Sequence, residues 1–355
     1  MTFEMDCEIK SCLVILILFS SAIYCVVGEP QVPCLFIFGD SLSDNGNNNN
    51  LPTYAKANFK PYGVDFPDGP TGRFTNGKTS VDIIGDLLGF DHYIPPYANT
   101  NGKDIVEGVN YASGAAGIRN ETGTHMGQHI SMGMQLEHHK DIVSQISKKL
   151  GSDKVQQHLN KYLYYVNIGS NDYLNNYFLP QHYPTKAKYT AKNYAIALIK
   201  EHSTYLKALY QLGARKFSLI GLGDIGCVPH EIIRHGKKSC VDEETKAALI
   251  FNDQLKSLVE RFNIIFPDAK FILINNSIMK DERLNLDTVN LICCKVGPSG
   301  QCVPNEEPCK DRNMRPFFDE FHPTEVVNNA SANRAYTGLV PSFAYPMDIS
   351  HLVKL

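Results

Sequence analysis

A basic surplus is missing from this sequence: 34 Lys and Arg stand against 37 Asp and Glu, for a formal net charge of −3. That excludes the electrostatic footprint of a nucleic-acid partner or of a polybasic membrane surface. Low-complexity linkers, charge blocks and repeats at solenoid spacing are missing too, which argues against disordered and repeat architectures. Beyond the first thirty positions no apolar run is long enough to span a bilayer. The cysteines include no Cys-x-x-Cys and no accompanying His pair at ligand spacing, so the zinc reading is weak. Gly-x-Ser-x-Gly does not occur, and with it goes the nucleophile elbow of the common α/β-hydrolases.

What remains is ordinary globular material: 355 residues, 43% of them hydrophobic and 20% charged. The first thirty differ. Ser11 to Val27 is nearly all apolar and is broken by Gly28-Glu29-Pro30. It reads as a secretory h-region, giving a signal peptide over 1–28, a single domain over 29–355 and a secreted, extracellular product with no stable transmembrane anchor. The flank is unusual, since Glu4, Asp6 and Glu8 outnumber Lys10.

Cysteine usage fits an oxidising compartment. Cys34 sits in an apolar run and reads as a buried free thiol. Cys227, Cys240, Cys293, Cys294, Cys302 and Cys309 are enough for up to three disulfides, whose pairing sequence does not choose. Sequons at Asn120, Asn275 and Asn329 would accept N-glycans on export.

Short apolar runs at Leu35–Phe38, Leu163–Ile168, Phe217–Gly221 and Phe271–Ile274, with a weaker one at Val106–Tyr111, read as buried parallel strands. Helical periodicity marks Ser80–Leu88, Leu136–Leu150, Ala191–Leu212 and Glu243–Phe262, with Gly213 at a C-terminal cap position. Strands alternating with helices imply a doubly wound α/β fold whose ligands bind at the carboxyl ends of the strands. The run Asn45–Asn50 reads as a loop.

Four segments then carry chemistry. In Phe36-Ile-Phe-Gly39-Asp40-Ser41 a strand ends at Gly39, which places the Ser41 hydroxyl at the expected crevice; a helix N-cap is the plainer use of such a serine. Gly108–Gly117 is a small-residue loop able to bring backbone N–H groups close to a ligand, or simply a tight turn. In Val166-Asn-Ile-Gly169-Ser-Asn171 the Asn171 amide can face developing negative charge, or only cap its own backbone. Asp319 and His322, three residues apart, suit a carboxylate that orients an imidazole base beside a helix start at Pro323. Most of the other histidines, the pair His138-His139 among them, read as solvated helix positions. Phe59, Phe66, Phe317 and Phe321 are either core or the lining of an acyl pocket.

Taken together, FIFGDSLSDNGNNN, PTGRFTNGKTSVDII, GVNYASGAAGI, YYVNIGSNDY, GLGDIGCVP, the CC…C…C segment and FFDEFHPTE resemble the GDSL lipase/esterase family, the SGNH hydrolases, in its plant-type branch. The resemblance implies a flavodoxin-like three-layer α/β/α sandwich with a mostly parallel sheet, and a serine esterase or lipase acting on small-molecule or lipid esters without a cofactor. It implies Ser41 as nucleophile with Asp319 and His322. It also implies Gly114 (or Gly117, should the loop align differently), Asn171 and the Ser41 N–H as the oxyanion hole. An acyltransferase would use the same acyl-enzyme, and a non-catalytic binding protein would keep only the fold. Two positions depart from the family pattern: Phe318 where Trp is frequent, in a chain with no Trp at all, and Lys295 where Gly is frequent.

Overall fold

Buried on both faces, five short runs form strands because each can exchange every backbone hydrogen bond with a neighbour. They are β1 (Leu35–Gly39), β2 (Gly108–Asn110), β3 (Leu163–Asn167), β4 (Lys216–Ile220) and β5 (Lys270–Ile274). A two-residue β6 (Ala344–Tyr345) adds an antiparallel edge that the sequence did not announce. The order is β2-β1-β3-β4-β5-β6, with β1 to β5 parallel. The strand order turns around β1, so the crevice belongs at the carboxyl ends of β1 and β3. The computed structural model describes residues 29–100, 105, 107–276, 291–338 and 342–355. The signal-peptide expectation falls on residues outside these.

Alternation along the strands sorts two cores. Phe36, Phe38, Tyr164, Phe217 and Phe271 point to one face. There they meet α2 (Met132–Leu150), α3 (Ala191–Gln211) and α4 (Asp242–Ile265). Leu35, Ile37, Tyr165, Ile220 and Ile274 point to the other, under α1 (Ser80–Leu88) and α5 (Glu325–Tyr336). This is the expected three-layer sandwich. Thr79 starts α1 with a complete capping box to Asp82, which satisfies two otherwise orphaned donors. Gly213, at φ 118°, follows α3 where a left-handed residue closes the helix.

Helix α2 begins four residues before its expected start, with Ser131 as N-cap. Helix α5 was not foreseen beyond a start near Pro323; Thr324 is its N-cap, and its run of Asn, Ala and Ser carries no apolar stripe. The solvated reading of the histidines is corrected at two places. His139 and His202 are buried, and His139 Nδ1 lies 3.0 Å from the Tyr111 hydroxyl. Burial holds His139 down to about 3 and His202 to about 4, so both are neutral packing groups. The disulfides are Cys227–Cys240, Cys293–Cys309 and Cys294–Cys302, and Cys34 is a buried free thiol. Among the described residues no helix is long and apolar enough to cross a membrane.

Candidate active site

Gly39 ends β1 against β3 so closely that a Cβ there would stand 2.6 Å from the Asn167 carbonyl. The Gln135 amide clamps this end, accepting from the Gly39 N–H (2.9 Å) and donating to its carbonyl (2.8 Å). The chain then turns at once. Asp40 Oδ1 accepts the Leu42 N–H at 3.0 Å, and the Ser43 and Asp44 N–H groups donate to the Asp40 carbonyl. Ser41 is held in that turn at the carboxyl edge of the sheet.

The Asp319–His322 loop comes to the same edge from the other end of the chain. Asp319 is fully buried and caps its own turn: Oδ1 accepts the N–H groups of Phe321 and His322, both at 2.8 Å. Oδ2 lies 2.7 Å from His322 Nδ1, and His322 Nε2 lies 2.8 Å from Ser41 Oγ. With the carboxylate facing Nδ1, that nitrogen carries the proton and Nε2 is free to accept one from Ser41; this tautomer is assigned from the network. The structure thus brings the three expected residues into one hydrogen-bonded chain.

Asn171 also reaches the pocket. One amide hydrogen goes to the Ala116 carbonyl at 2.9 Å, and Oδ1 accepts from Asn175 at 2.6 Å. This fixes the amide plane and leaves its second hydrogen for a ligand. Gly114 is corrected. Its N–H already donates to Asp44 Oδ2 at 2.9 Å. Gly117 lies against Thr122 and Asp172 instead. The neighbouring Ala115 does line the pocket, at φ 65°, a conformation L-residues seldom adopt. The N–H groups of Ser41 and Ala115 have no acceptor among the described residues. The family resemblance pointed to the glycine, whereas the position at positive φ is the alanine after it.

The Asn45–Asn50 run is a loop, buried from Asn45 to Asn48. Asn47 donates to the carbonyls of Asn110 (2.9 Å) and Ala112 (2.8 Å), and Asn48 to those of Ala55 (2.8 Å) and Gly114 (3.0 Å). Asparagine suits this work because one short side chain can satisfy two orphaned backbone groups. Asp44 anchors the run, accepting from Gly46 and Asn47 at 2.8 Å as well as from Gly114. Burial nevertheless raises Asp44 to about 6 and Asp40 to about 7. Asp40 Oδ2 is buried without a partner, and nearby His322 pulls its carboxyl only part of the way back.

Three supports escaped the sequence. Tyr62 donates to Asp319 Oδ2 at 2.5 Å and accepts the Cys302 N–H at 3.2 Å. Burial and the neighbouring carboxylate drive its phenol well above the usual range, so it stays a donor. Phe74 lies 4.9 Å, ring to ring, from His322. The adjacent half-cystines grip the loop from beneath, with the Cys293 and Cys294 N–H groups donating to the Phe318 carbonyl at 3.2 and 2.8 Å. Phe318, standing where Trp is frequent, is fully buried 5.7 Å from the Tyr62 ring. A lone Tyr in a Pro-Tyr-Gly turn carries no signal that would have found the first of these. Tyr62→Phe is expected to cost about 1–3 kcal/mol of stability for the carboxylate left short of a donor. It should lower kcat less than a hundredfold, since the His322 tautomer survives. Ester kinetics alongside denaturant unfolding check this; a loss as large as that of removing Asp319 would overturn the supporting role.

The pocket over Ser41, of about 320 Å³, also takes in Phe317 and Phe321. Phe59 and Phe66 stay outside it; Phe59 packs edge-on to Tyr62, and Phe66 lies under the Arg73 guanidinium.

Comparison with known proteins agrees with this geometry. The family model described as GDSL-like lipase/acylhydrolase matches residues 35–335. An Arabidopsis thaliana GDSL esterase/lipase is 47% identical over 358 aligned residues, covering 98% of each chain. Two further GDSL esterases/lipases of that plant are 46% and 45% identical, each covering 93% of this chain and 94% of their own. From the strand that delivers Ser41 to the loop that delivers His322, the chain belongs to the GDSL lipase/acylhydrolase family.

Proposed function

We propose that the protein is a serine esterase or lipase that cleaves carboxylic esters through an acyl-enzyme on Ser41. The observation that carries this reading is the unbroken chain Asp319–His322–Ser41, with 2.7 and 2.8 Å links. His322 Nε2 takes the Ser41 proton as Oγ attacks the ester carbonyl. Asp319 holds the imidazole and stabilises the imidazolium. The Ser41 and Ala115 N–H groups and the free Asn171 amide hydrogen receive the oxyanion, each such donor typically contributing about 3 kcal/mol to the barrier. His322 returns the proton to the leaving alcohol and then activates water against the acyl-enzyme. The residues described need no metal or organic group for these steps. Three disulfides support a secreted protein, and the exposed Asn120 and Asn329 suit glycans.

The test is covalent labelling by a fluorophosphonate, read beside hydrolysis of p-nitrophenyl esters. Wild-type protein should label stoichiometrically and turn over. Ser41→Ala should lose the label and about 10⁴–10⁶-fold in kcat, with its fold intact. A folded wild-type protein that neither labels nor hydrolyses any ester would sink the proposal in favour of a binding protein.

A further inference from the structure

Glu320 directly follows the catalytic carboxylate and orients an imidazole of its own. His230 Nδ1 lies 2.7 Å from Glu320 Oε2, and the His230 N–H donates to the Glu320 carbonyl at 3.1 Å. The ring stacks on Phe321 with 4.4 Å between centroids. The short helix Pro229–Arg234, which carries His230, starts just after Cys227 of the Cys227–Cys240 disulfide. Gly300, inside the loop closed by Cys294–Cys302, accepts the Glu320 N–H at 3.0 Å. A Cβ on Gly300 would stand 2.7 Å from Glu320 Oε2 and from the Phe321 ring, so glycine is what lets the loop come this close. His230, Phe321 and Ser299 all line the pocket over Ser41. With the carboxylate opposite Nδ1, that nitrogen carries a proton, and Nε2 has no partner among the described residues.

The lining of the pocket is mixed throughout, with Met126, Leu174, Ile225 and Val228 beside amides and imidazoles, so composition does not divide it. The chemistry does. The ester carbonyl oxygen must face the Ser41 and Ala115 N–H groups and the Asn171 amide, while the leaving oxygen must lie within reach of His322 Nε2, which protonates it. The alcohol half of the ester therefore departs on the side of His322. The Phe321 ring is 6.1 Å from that of His322, and His230 is the next ring along. We propose that His230, held by Glu320, is a specificity-determining residue whose Nε2 hydrogen-bonds a further hydroxyl of the alcohol half, so that esters of uncharged, polyhydroxylated alcohols are preferred over esters of simple ones. The proposal rests on the serine esterase reading. A hydroxyl is the fitting partner because it can donate to the neutral imidazole and can equally accept from the charged one. An anionic group fits less well: Glu320 stands behind the ring, Asp224 lines the same pocket, and no Lys or Arg among the described residues does.

The experiment compares kcat/KM for glyceryl monobutyrate and propyl butyrate, which share the acyl group and the alcohol's carbon skeleton and differ in the further hydroxyls. Active sites are counted by fluorophosphonate titration, and the readout is the glyceryl-to-propyl ratio, in which a general loss of activity cancels. Wild-type protein should favour the glyceryl ester, and should turn over its phosphorylated analogue, butyryl glycerol phosphate, more slowly. His230→Phe, which keeps a ring on Phe321 but removes both nitrogens, should lower the ratio about tenfold, the scale of one lost hydrogen bond. His230→Gln, whose amide can reach the place of Nε2, should retain most of the ratio, a rescue that a merely structural ring would not give. The two wild-type comparisons do not depend on how the variants fold. A ratio unchanged in His230→Phe would make His230 only a brace for the catalytic loop and overturn the proposal. So would a wild-type preference for the phosphorylated ester, or hydrolysis of both butyrates without preference, and either result leaves the esterase reading standing. Failure of the wild-type protein to hydrolyse any ester would overturn that reading and the hydroxyl subsite with it.

Discussion

Asp319→Asn is expected to lower kcat on a short ester about 10⁴-fold while the protein remains folded. The size follows from the hydrogen bonds around the carboxylate. Oδ1 accepts the Phe321 and His322 backbone N–H groups and lies 2.9 Å from His322 Nδ1, while Oδ2 lies nearer to Nδ1, at 2.7 Å, and accepts from the Tyr62 hydroxyl. An amide has one acceptor and one donor end. The two fixed N–H groups take its oxygen, so its NH₂ turns toward His322 Nδ1. A neutral imidazole facing a donor must present a lone pair there and carry its proton on Nε2, the nitrogen 2.8 Å from Ser41 Oγ. That nitrogen then donates to Ser41 instead of accepting from it. The loss should therefore sit in kcat, with KM little changed, and Tyr62→Phe should not reproduce it. A loss under a hundredfold would show that Asp319 only shapes the loop, and the triad would have to be redrawn.

Much of this was legible because local pattern and global fold agree here. The runs at Leu35, Leu163, Phe217 and Phe271 are apolar on both faces, as central parallel strands must be, and Gly39 ends β1 and Gly169 follows β3 where the crevice forms. The Asp-x-x-His spacing was readable because both residues lie in one tight turn. Contacts between distant segments were not readable. Nothing near Tyr62 tells that it will meet a carboxylate 257 positions away. Gly114 was expected from its place in the family's second motif, yet the N–H that faces the pocket depends on where Asp44 lies, and only tertiary structure decides that. Helix α5 hid because its run of Asn, Ser and Ala carries no apolar stripe, although Ala332 and Ala335 pack into the second core. The disulfide pairing is likewise a matter of which loops the fold brings together.

The largest stability effect is expected from Arg73→Ala, about 3–5 kcal/mol. Arg73 and Asp82 are each only 4% exposed at the side chain. They meet in a two-pronged pair, Nη2 to Oδ1 at 2.7 Å and Nε to Oδ2 at 2.8 Å. The guanidinium also covers the Phe66 ring at 4.1 Å. Burial alone would raise the Asp82 carboxyl, but Arg73 and the Thr79 donors outweigh it and hold it below the usual carboxylate range. Removing Arg73 strands a buried carboxylate at the first turn of α1. The sign of its pH dependence should then reverse. In wild-type protein the depressed carboxyl contributes stability that is present above its unfolded pKa and lost as pH falls through the folded one. In the variant the unpaired carboxyl is raised, so it binds a proton on folding, and stability is lost as pH rises from about 4. Denaturant unfolding with disulfides intact, at pH 7.5 and near pH 5, measures both; the deficit should be smaller at the lower pH. Adding Asp82→Asn should recover much of the loss by removing the stranded charge while keeping an acceptor for the Thr79 N–H. Because Arg73 precedes the ring that packs on His322, the folded fraction of Arg73→Ala should also turn over esters more slowly. A deficit below about 1 kcal/mol at neutral pH would mean that water replaces the guanidinium, and that the segment before α1 positions His322 through Phe74 alone.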